Sequence, residues 1–415
     1  MTTALPSGLR TRPHRLAWWA GLAITLTAIN LRTAVTGFTP LLETMGADLG
    51  FGVAVAGLIG TVPAATFAVF GFLAPAVTRS FGLERTAAVA LALTALSLAL
   101  RAFSPTPTAL VASTVLALAG IGAANVVIVP LVKAWFPDRL ALWTSLYLLL
   151  MQTGQFIAPL LAVPVAQATS WRFSVGVWAV PAAVTAIVWI VVAAGSPRRD
   201  RAAAGAPTAT SRFERIRVSR SATVWGLVGL FAVLSISNYS IITWLPAILT
   251  DAGGSATLGG TMVALYSSWG VVAALVVPQV ATRMANPFVV VIVCTVLLVA
   301  GYLGLILAPL SGTVLWACLL GIGVSTFPLC MTLINRRTRT AQAASAVSGF
   351  VQGIGYGLAC LGPIGLGLLR QWTGSWTIPI LVLAATVIPG LIAGRYACRP
   401  SFVEDETATA PPDAR

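Results

Sequence analysis

Of 415 residues, 58% are hydrophobic and only 9% charged, and the mean hydropathy is +0.92. Soluble domains carry roughly a quarter charged residues, so this composition excludes an aqueous globular fold. The formal charge of +14 does not mark a nucleic-acid binder either, because Lys and Arg lie between apolar runs rather than on one basic face.

A bilayer span needs about 20 mostly apolar residues. After a basic tail over 1–15, runs of that kind between Pro, Gly and charge breaks predict spans over 16–38, 52–77, 86–103, 107–134, 141–168 and 172–195. The segment 196–222 interrupts them with a cluster of Arg, Pro197, Pro207 and an Ala/Gly-rich stretch, and reads as a cytoplasmic linker. A second set follows over 223–249, 257–282, 287–309, 311–334, 341–369 and 374–396, with a tail over 398–415. Leu16 to Ile29 has the length of a signal-peptide core, but its apolar run continues past Arg32 and eleven more spans come after it, so it reads as a retained first helix. The expected fold is an all-α polytopic membrane protein of twelve helices, six in 16–195 and six in 223–397.

Lys and Arg favour cytoplasmic loops. With the N-terminus inside, all but four of the 25 fall on the cytoplasmic side; Arg101, Arg172 and Arg370 fall outside, and Arg32 lies within a span. Both termini are therefore expected in the cytoplasm, in the cytoplasmic membrane. The halves also resemble each other. Gly-Ile-Gly stands at Gly120–Gly122 and Gly321–Gly323, each in a fourth helix, and a shift of 200 residues puts Ser145 on Ser345, Gln152 on Gln352 and Phe156 on Tyr356. A six-helix unit repeated in one orientation is a transporter arrangement with its substrate site near midplane between the halves.

Several stretches carry a family resemblance: INLRTAVTGFTPLL in the first helix, FGLER after the second, NYSIITWLPAIL in the seventh, and RTRTAQAASAVSGFVQGIGYGLACLGP through the eleventh. They are similar to the cyanate and nitroimidazole transporter branch of the major facilitator superfamily. Arg79-x-x-Gly82-x-x-Arg85 matches only part of that superfamily's inner-loop signature and lacks its Asp-Arg pair. The resemblance implies alternating-access transport of a small anion or small polar organic molecule.

Arg32 is the residue to explain. A charge deep in a span costs at least about 2.5–3.5 kcal/mol and faces a cavity or a partner. Either it binds substrate, or it snorkels outward or pairs with Glu43 or Asp48 beyond the helix. Its helical neighbours Thr25, Ala28, Ile29, Val35, Thr36 and Thr39 suit a wet wall, whereas Asn30 faces the opposite way and is expected to bond another helix. All eleven acids fall at span ends, in loops or in tails. A midmembrane cavity with one fixed positive charge and no carboxylate favours anions or strongly dipolar acceptors, and Lys133 at a helix end is expected to snorkel.

The proposed substrate-binding set is Arg32, Thr36, Asn125, Gln152, Gln155, Asn238, Tyr239, Gln352 and Tyr356. Gln152 with Gln155, and Gln352 with Tyr356, share helix faces, and Trp244 is placed at the outer mouth. The cysteines Cys294, Cys318, Cys330, Cys360 and Cys398 and the single His14 offer no C-x-x-C pair or metal-ligand spacing, so no cofactor, metal or enzyme is expected. The partners expected are a small, anionic substrate and membrane lipids, with the chain a monomer. The alternative function is an efflux carrier for neutral or nitro-aromatic compounds, with Arg32 donating to a nitro or carbonyl oxygen.

Overall fold

The computed structural model describes residues 14–195, 218–284, 286–324 and 326–407; the 1–15 tail and the 196–222 linker therefore lie largely outside the described residues. Every regular element among those described is a helix, as hydrocarbon demands of a chain whose backbone groups find no water to bond. The first half comprises α1 (His14–Thr36), a 3-10 turn at Thr39–Leu41 leading into α2 (Leu42–Leu49), then α3 (Val53–Phe81), α4 (Leu83–Ala102), α5 (Pro107–Trp135), α6 (Leu140–Ala168), and a sixth rod made of α7 (Trp171–Gly176) and α8 (Ala179–Gly195). The second half comprises α9 (Ala222–Asp251), α10 (Ala256–Arg283), α11 (Phe288–Leu307), α12 (Thr313–Gly323) with α13 (Thr326–Arg336), α14 (Ala341–Ala359) with α15 (Leu361–Thr373), and α16 (Thr377–Ala385) with α17 (Val387–Ala397). A last short helix, α18, covers Val403–Thr407.

Local chemistry sets the helix starts. Thr106, Ser170, Ser221, Ser255 and Thr340 each accept the backbone N–H three residues on, which answers an otherwise orphan donor. Among the described residues eleven rods are long and apolar enough to cross a membrane. The twelfth, α1, runs 23 residues; Asn30, Arg32 and its threonines dilute its hydropathy, and it packs along α5, α6 and α8. Large apolar side chains such as Val89, Leu96, Val184, Ile187, Val293 and Val296 point out of the bundle, where lipid rather than water meets them. Prolines sit inside α5, α6, α9 and α10, and neighbouring rods accommodate the donors they remove.

Asn30 bonds another helix as the sequence suggests: its Nδ2 donates to the Leu26 carbonyl at 2.8 Å and to Thr185 Oγ1 at 3.0 Å. Arg101, in contrast, does not face outer solvent. It ends α4 with 1% exposure, because the turn that holds it folds back against Phe38. Of the three arginines assigned outside, only Arg172 and Arg370 reach the surface, and both are neutralised there.

Those two form repeat-related clamps at the end of the bundle away from the termini. Asp48 accepts from Trp171 Nε1 at 3.1 Å and from Arg172 at 2.5 Å, and these hydrogen bonds hold its carboxyl below the ordinary value. Asp251 accepts from Trp376 Nε1 at 2.7 Å and from Arg370 at 2.8 Å. In each half an Asp at or beyond the end of the first rod ties down the Trp that opens the sixth.

The two halves meet along two seams, α3 against α14 and α15, and α10 against α6. At the same end as the clamps, a Cβ on Gly57 would stand 2.9 Å from the Pro363 carbonyl oxygen, and one on Gly260 would stand 2.8 Å from that of Pro159. Gly260 lies 203 positions after Gly57, and Pro363 lies 204 after Pro159, so the seams are related by the repeat. Trp244 belongs to this seal rather than to an open mouth: it is buried, its Nε1 donates to the Pro363 carbonyl at 2.8 Å, and its ring lies 5.2 Å from that of Trp376.

At the opposite end the C-terminal segment is not a free tail. Glu406 accepts from Ser221 Oγ at 2.5 Å, Thr223 Oγ1 at 2.5 Å, Ser401 Oγ at 2.8 Å and the Thr223 amide at 3.1 Å, at the start of α9. Glu404 accepts from the Arg339 amide at 2.8 Å, beside the Arg339–Asp405 pair at 2.6 Å. Partial burial pushes the Glu406 carboxyl up, but the bonds from Ser221, Thr223 and Ser401 outweigh it and bring it down to about 2. A carboxyl depressed in the fold stabilises it fully above its ordinary value of 4.5 and loses that effect as pH falls toward about 2. Thermal melts of the parent and Glu406→Gln should therefore differ most above pH 4.5 and converge below it; a constant difference across that range contradicts the latch.

Candidate functional site

The strongest candidate site lies where both halves contribute to the surroundings of Arg32. Arg32 is half-buried on α1, four residues before the helix ends. Its guanidinium carbon sits 5.5 Å from the centroid of the Phe67 ring on α3. The phenol of Tyr239 on α9 adjoins it, and that of Tyr356 on α14 is within electrostatic range. The rings of Phe67 and Tyr356 stand 5.6 Å apart, Tyr356 and Tyr239 stand 6.2 Å apart edge to face, and Phe231 backs Tyr356 at 5.0 Å. The guanidinium is thus bordered by aromatic rings from both halves.

No carboxylate answers it. Among the described residues the ion pairs are Arg172 with Asp48, Arg339 with Asp405 and Arg370 with Asp251, and the buried Arg32 Nε has no hydrogen-bond partner. Neither acid considered as its structural partner reaches it. Asp48 is held by Arg172, and Glu43 stands against Thr250 and Asp251, where burial first and then the Asp251 charge raise its carboxyl. Arg32 is therefore a charge left to the space between the halves.

The other predicted residues divide by environment. Tyr239 and Tyr356 adjoin Arg32 as described. Gln152, on α6, crosses the second seam so closely that a Cβ at Gly270 of α10 would overlap its side-chain amide. Gln352 donates to Ser348 Oγ at 2.7 Å, and Asn238 Oδ1 accepts from Tyr266 at 3.0 Å. Asn125 and Gln155 are half-buried on α5 and α6. Thr36 is fully buried, and its hydroxyl donates to the carbonyls of Arg32 and Gln155, both at 3.2 Å, stitching α1 to α6. The expected wet stripe beside Arg32 is mostly packing, since Ala28, Val35, Thr36 and Thr39 are all buried; small side chains there let α6 approach closely. Lys133 is exposed near the end of α5, as snorkelling requires.

The seams also correct the equivalence of the two glutamines. Gln152 lies seven residues before Pro159, whereas Gln352 lies eleven before Pro363. Counted along the helices from the seal, Tyr356 stands where Gln152 does, seven residues before the proline. Likewise Phe67 lies ten residues past Gly57 and Gly270 ten past Gly260. One seam therefore carries an aromatic pair, Phe67 with Tyr356, where the other carries Gln152 against Gly270. This asymmetry between pseudo-equivalent walls gives the interior an apolar, π-rich side and an amide side. Phe67 had no signal in the sequence, since an aromatic in an apolar span is ordinary there; only the spatial repeat singles it out.

Comparison with known proteins decides the family. Residues 24–363 match the Major Facilitator Superfamily model. The chain belongs to the major facilitator superfamily. It is 30% identical over 389 residues to the 2-nitroimidazole transporter of Escherichia coli (strain K12), covering 92% of this chain and 96% of that one. It is 28% identical over 360 residues to the cyanate transport protein CynX of the same organism, covering 86% and 91%. Among solved structures, the nucleoside transporter NupG superposes with a TM-score of 0.76 at 13% identity, over 91% of this chain and 99% of that one. The chain is a multi-pass membrane transporter of a small molecule and not an enzyme. Among the described residues no group of three His, Cys, Asp or Glu side chains is placed to hold a metal ion.

Proposed function

We propose that this superfamily member moves a small anion across the cytoplasmic membrane by alternating access, with both termini in the cytoplasm and the chain acting as a monomer. The bodies that move are 16–195 and 223–397, joined by the linker 196–222. The observation carrying this reading is the acid-free guanidinium of Arg32, set between the halves with an unpartnered buried Nε. An arginine there presents a planar fork of donors to a carboxylate-like or linear anion. With no midmembrane carboxylate to relay a proton, the transport mode that fits is facilitated movement, exchange, or co-transport in which the proton rides on the substrate.

A second reading, export of nitro-aromatic compounds, is favoured by one specific feature. Phe67, Tyr239 and Tyr356 offer ring faces and edges beside the same guanidinium, which suits a planar ring whose nitro oxygens accept from Arg32. The likeness to both a cyanate transporter and a 2-nitroimidazole transporter supports keeping the two. A thermal-shift screen of the purified chain against small anions and nitro-aromatics tests them together, because a ligand that binds only the folded state raises the melting temperature. Stabilisation by members of one group that is lost in Arg32→Gln identifies the substrate class, and no stabilisation by either group overturns both readings.

A further inference from the structure

Arg101 is a second buried guanidinium, and the transport reading makes no use of it. It lies in the last turn of α4 with 1% exposure. Its guanidinium carbon stands 5.2 Å from the centroid of Phe38, two residues past the end of α1. Its Nε and Nη1 are buried with no hydrogen-bond partner. Ser97, one helical turn earlier and so on the same face, is also 1% exposed, and its Oγ has no partner either. Thr94 donates to the carbonyls of Ala90 and Ala117 and Ser104 to that of Leu100, and neither hydroxyl accepts from Arg101 Nε or Nη1. The acid at this end of the same half, Asp48, is held by Trp171 and Arg172.

An arginine keeps its proton at any physiological pH, and buried polar groups are nearly always answered by a partner, water or an ion. A ring face attracts the cation but accepts no N–H bond along the guanidinium plane. What Arg101 and Ser97 lack is an acceptor, and two N–H groups with one O–H on a single helix face suit a compact anion.

We propose that Arg101 and Ser97 bind a compact monovalent anion, of halide or nitrate kind, inside the first half, at a site separate from Arg32. The chain thus holds two anion sites, one between the halves and one within a half, and the second does not depend on what Arg32 recognises.

The test is a nitrate titration of the purified full chain in chloride-free gluconate buffer, read as the shift in melting temperature from tryptophan fluorescence. In an Arg32→Gln background nitrate should still stabilise the protein saturably. Adding Ser97→Ala should raise the half-saturating nitrate concentration roughly fivefold, the effect of one lost hydrogen bond, and adding Arg101→Gln should abolish the response. Should Arg101→Gln not fold, Ser97→Ala decides, and in the otherwise parental chain it should weaken one of two nitrate affinities. If all nitrate response disappears with Arg32→Gln alone, there is one site, and this inference fails while the transport reading stands. An unchanged response in Ser97→Ala also overturns it, the buried donors then being answered by water or carbonyl groups.

Discussion

Arg32→Ala, at matched expression in the membrane, abolishes saturable transport, and Arg32→Lys retains weak transport with poorer apparent affinity. Two unit charges about 4 Å apart interact by about 4 kcal/mol at an effective dielectric near 20, before desolvation is subtracted. Removing the charge beside Phe67, Tyr239 and Tyr356 removes that attraction outright. Lysine keeps the charge but not the planar fork, so a planar or linear acceptor loses one of two parallel bonds. Transport assays in cells or proteoliposomes check this directly. If Arg32→Ala transports like the parent, the guanidinium is a structural group and the site lies elsewhere.

The second large effect comes from the seal. Gly57→Val and Gly260→Val each place a side chain against a helix carbonyl, of Pro363 and Pro159 respectively, in the other half. A carbonyl fixed in a helix cannot rotate away, so the relief available is separation of the halves at that end. Overpacking a close contact costs about 1–3 kcal/mol, and here the cost falls on only one of the two states that transport must visit. The equilibrium shifts roughly five- to 150-fold toward the state open at that end, and turnover falls accordingly. Thr243, which packs against Gly60 beside the same seal, is the reporter. In a background with the native cysteines replaced, Thr243→Cys should react with a membrane-impermeant maleimide much faster when Gly57→Val is present. Parental transport with unchanged labelling contradicts the seal.

Much of the architecture was legible in the sequence because the membrane imposes it: spans of about 20 apolar residues, basic loops on one side, and a repeated unit. The soft places are those where packing rather than hydropathy decides. Arg101 reads as an outer-loop charge, yet it folds under Phe38 and is fully buried. Thr36 and Thr39 read as a cavity wall, yet they pack α1 against its neighbours, because in a bundle without a hydrophobic drive small polar residues are the interface. Arg32, Tyr239 and Tyr356 were visible as polar groups in apolar runs. Phe67 was invisible, since its distinction is its position across the seam from Tyr356 and nothing in its residue type. Gln152 and Gln352 were aligned by a residue match, whereas counting from the close contacts at Pro159 and Pro363 sets them four residues apart.

The most direct measurement is calorimetric titration of the purified parent and of Arg32→Gln with cyanate and with 2-nitroimidazole. The parent should bind at least one of these saturably, and Arg32→Gln should bind it at least tenfold more weakly, with the two proteins equally folded. Equal affinity in both proteins would contradict it.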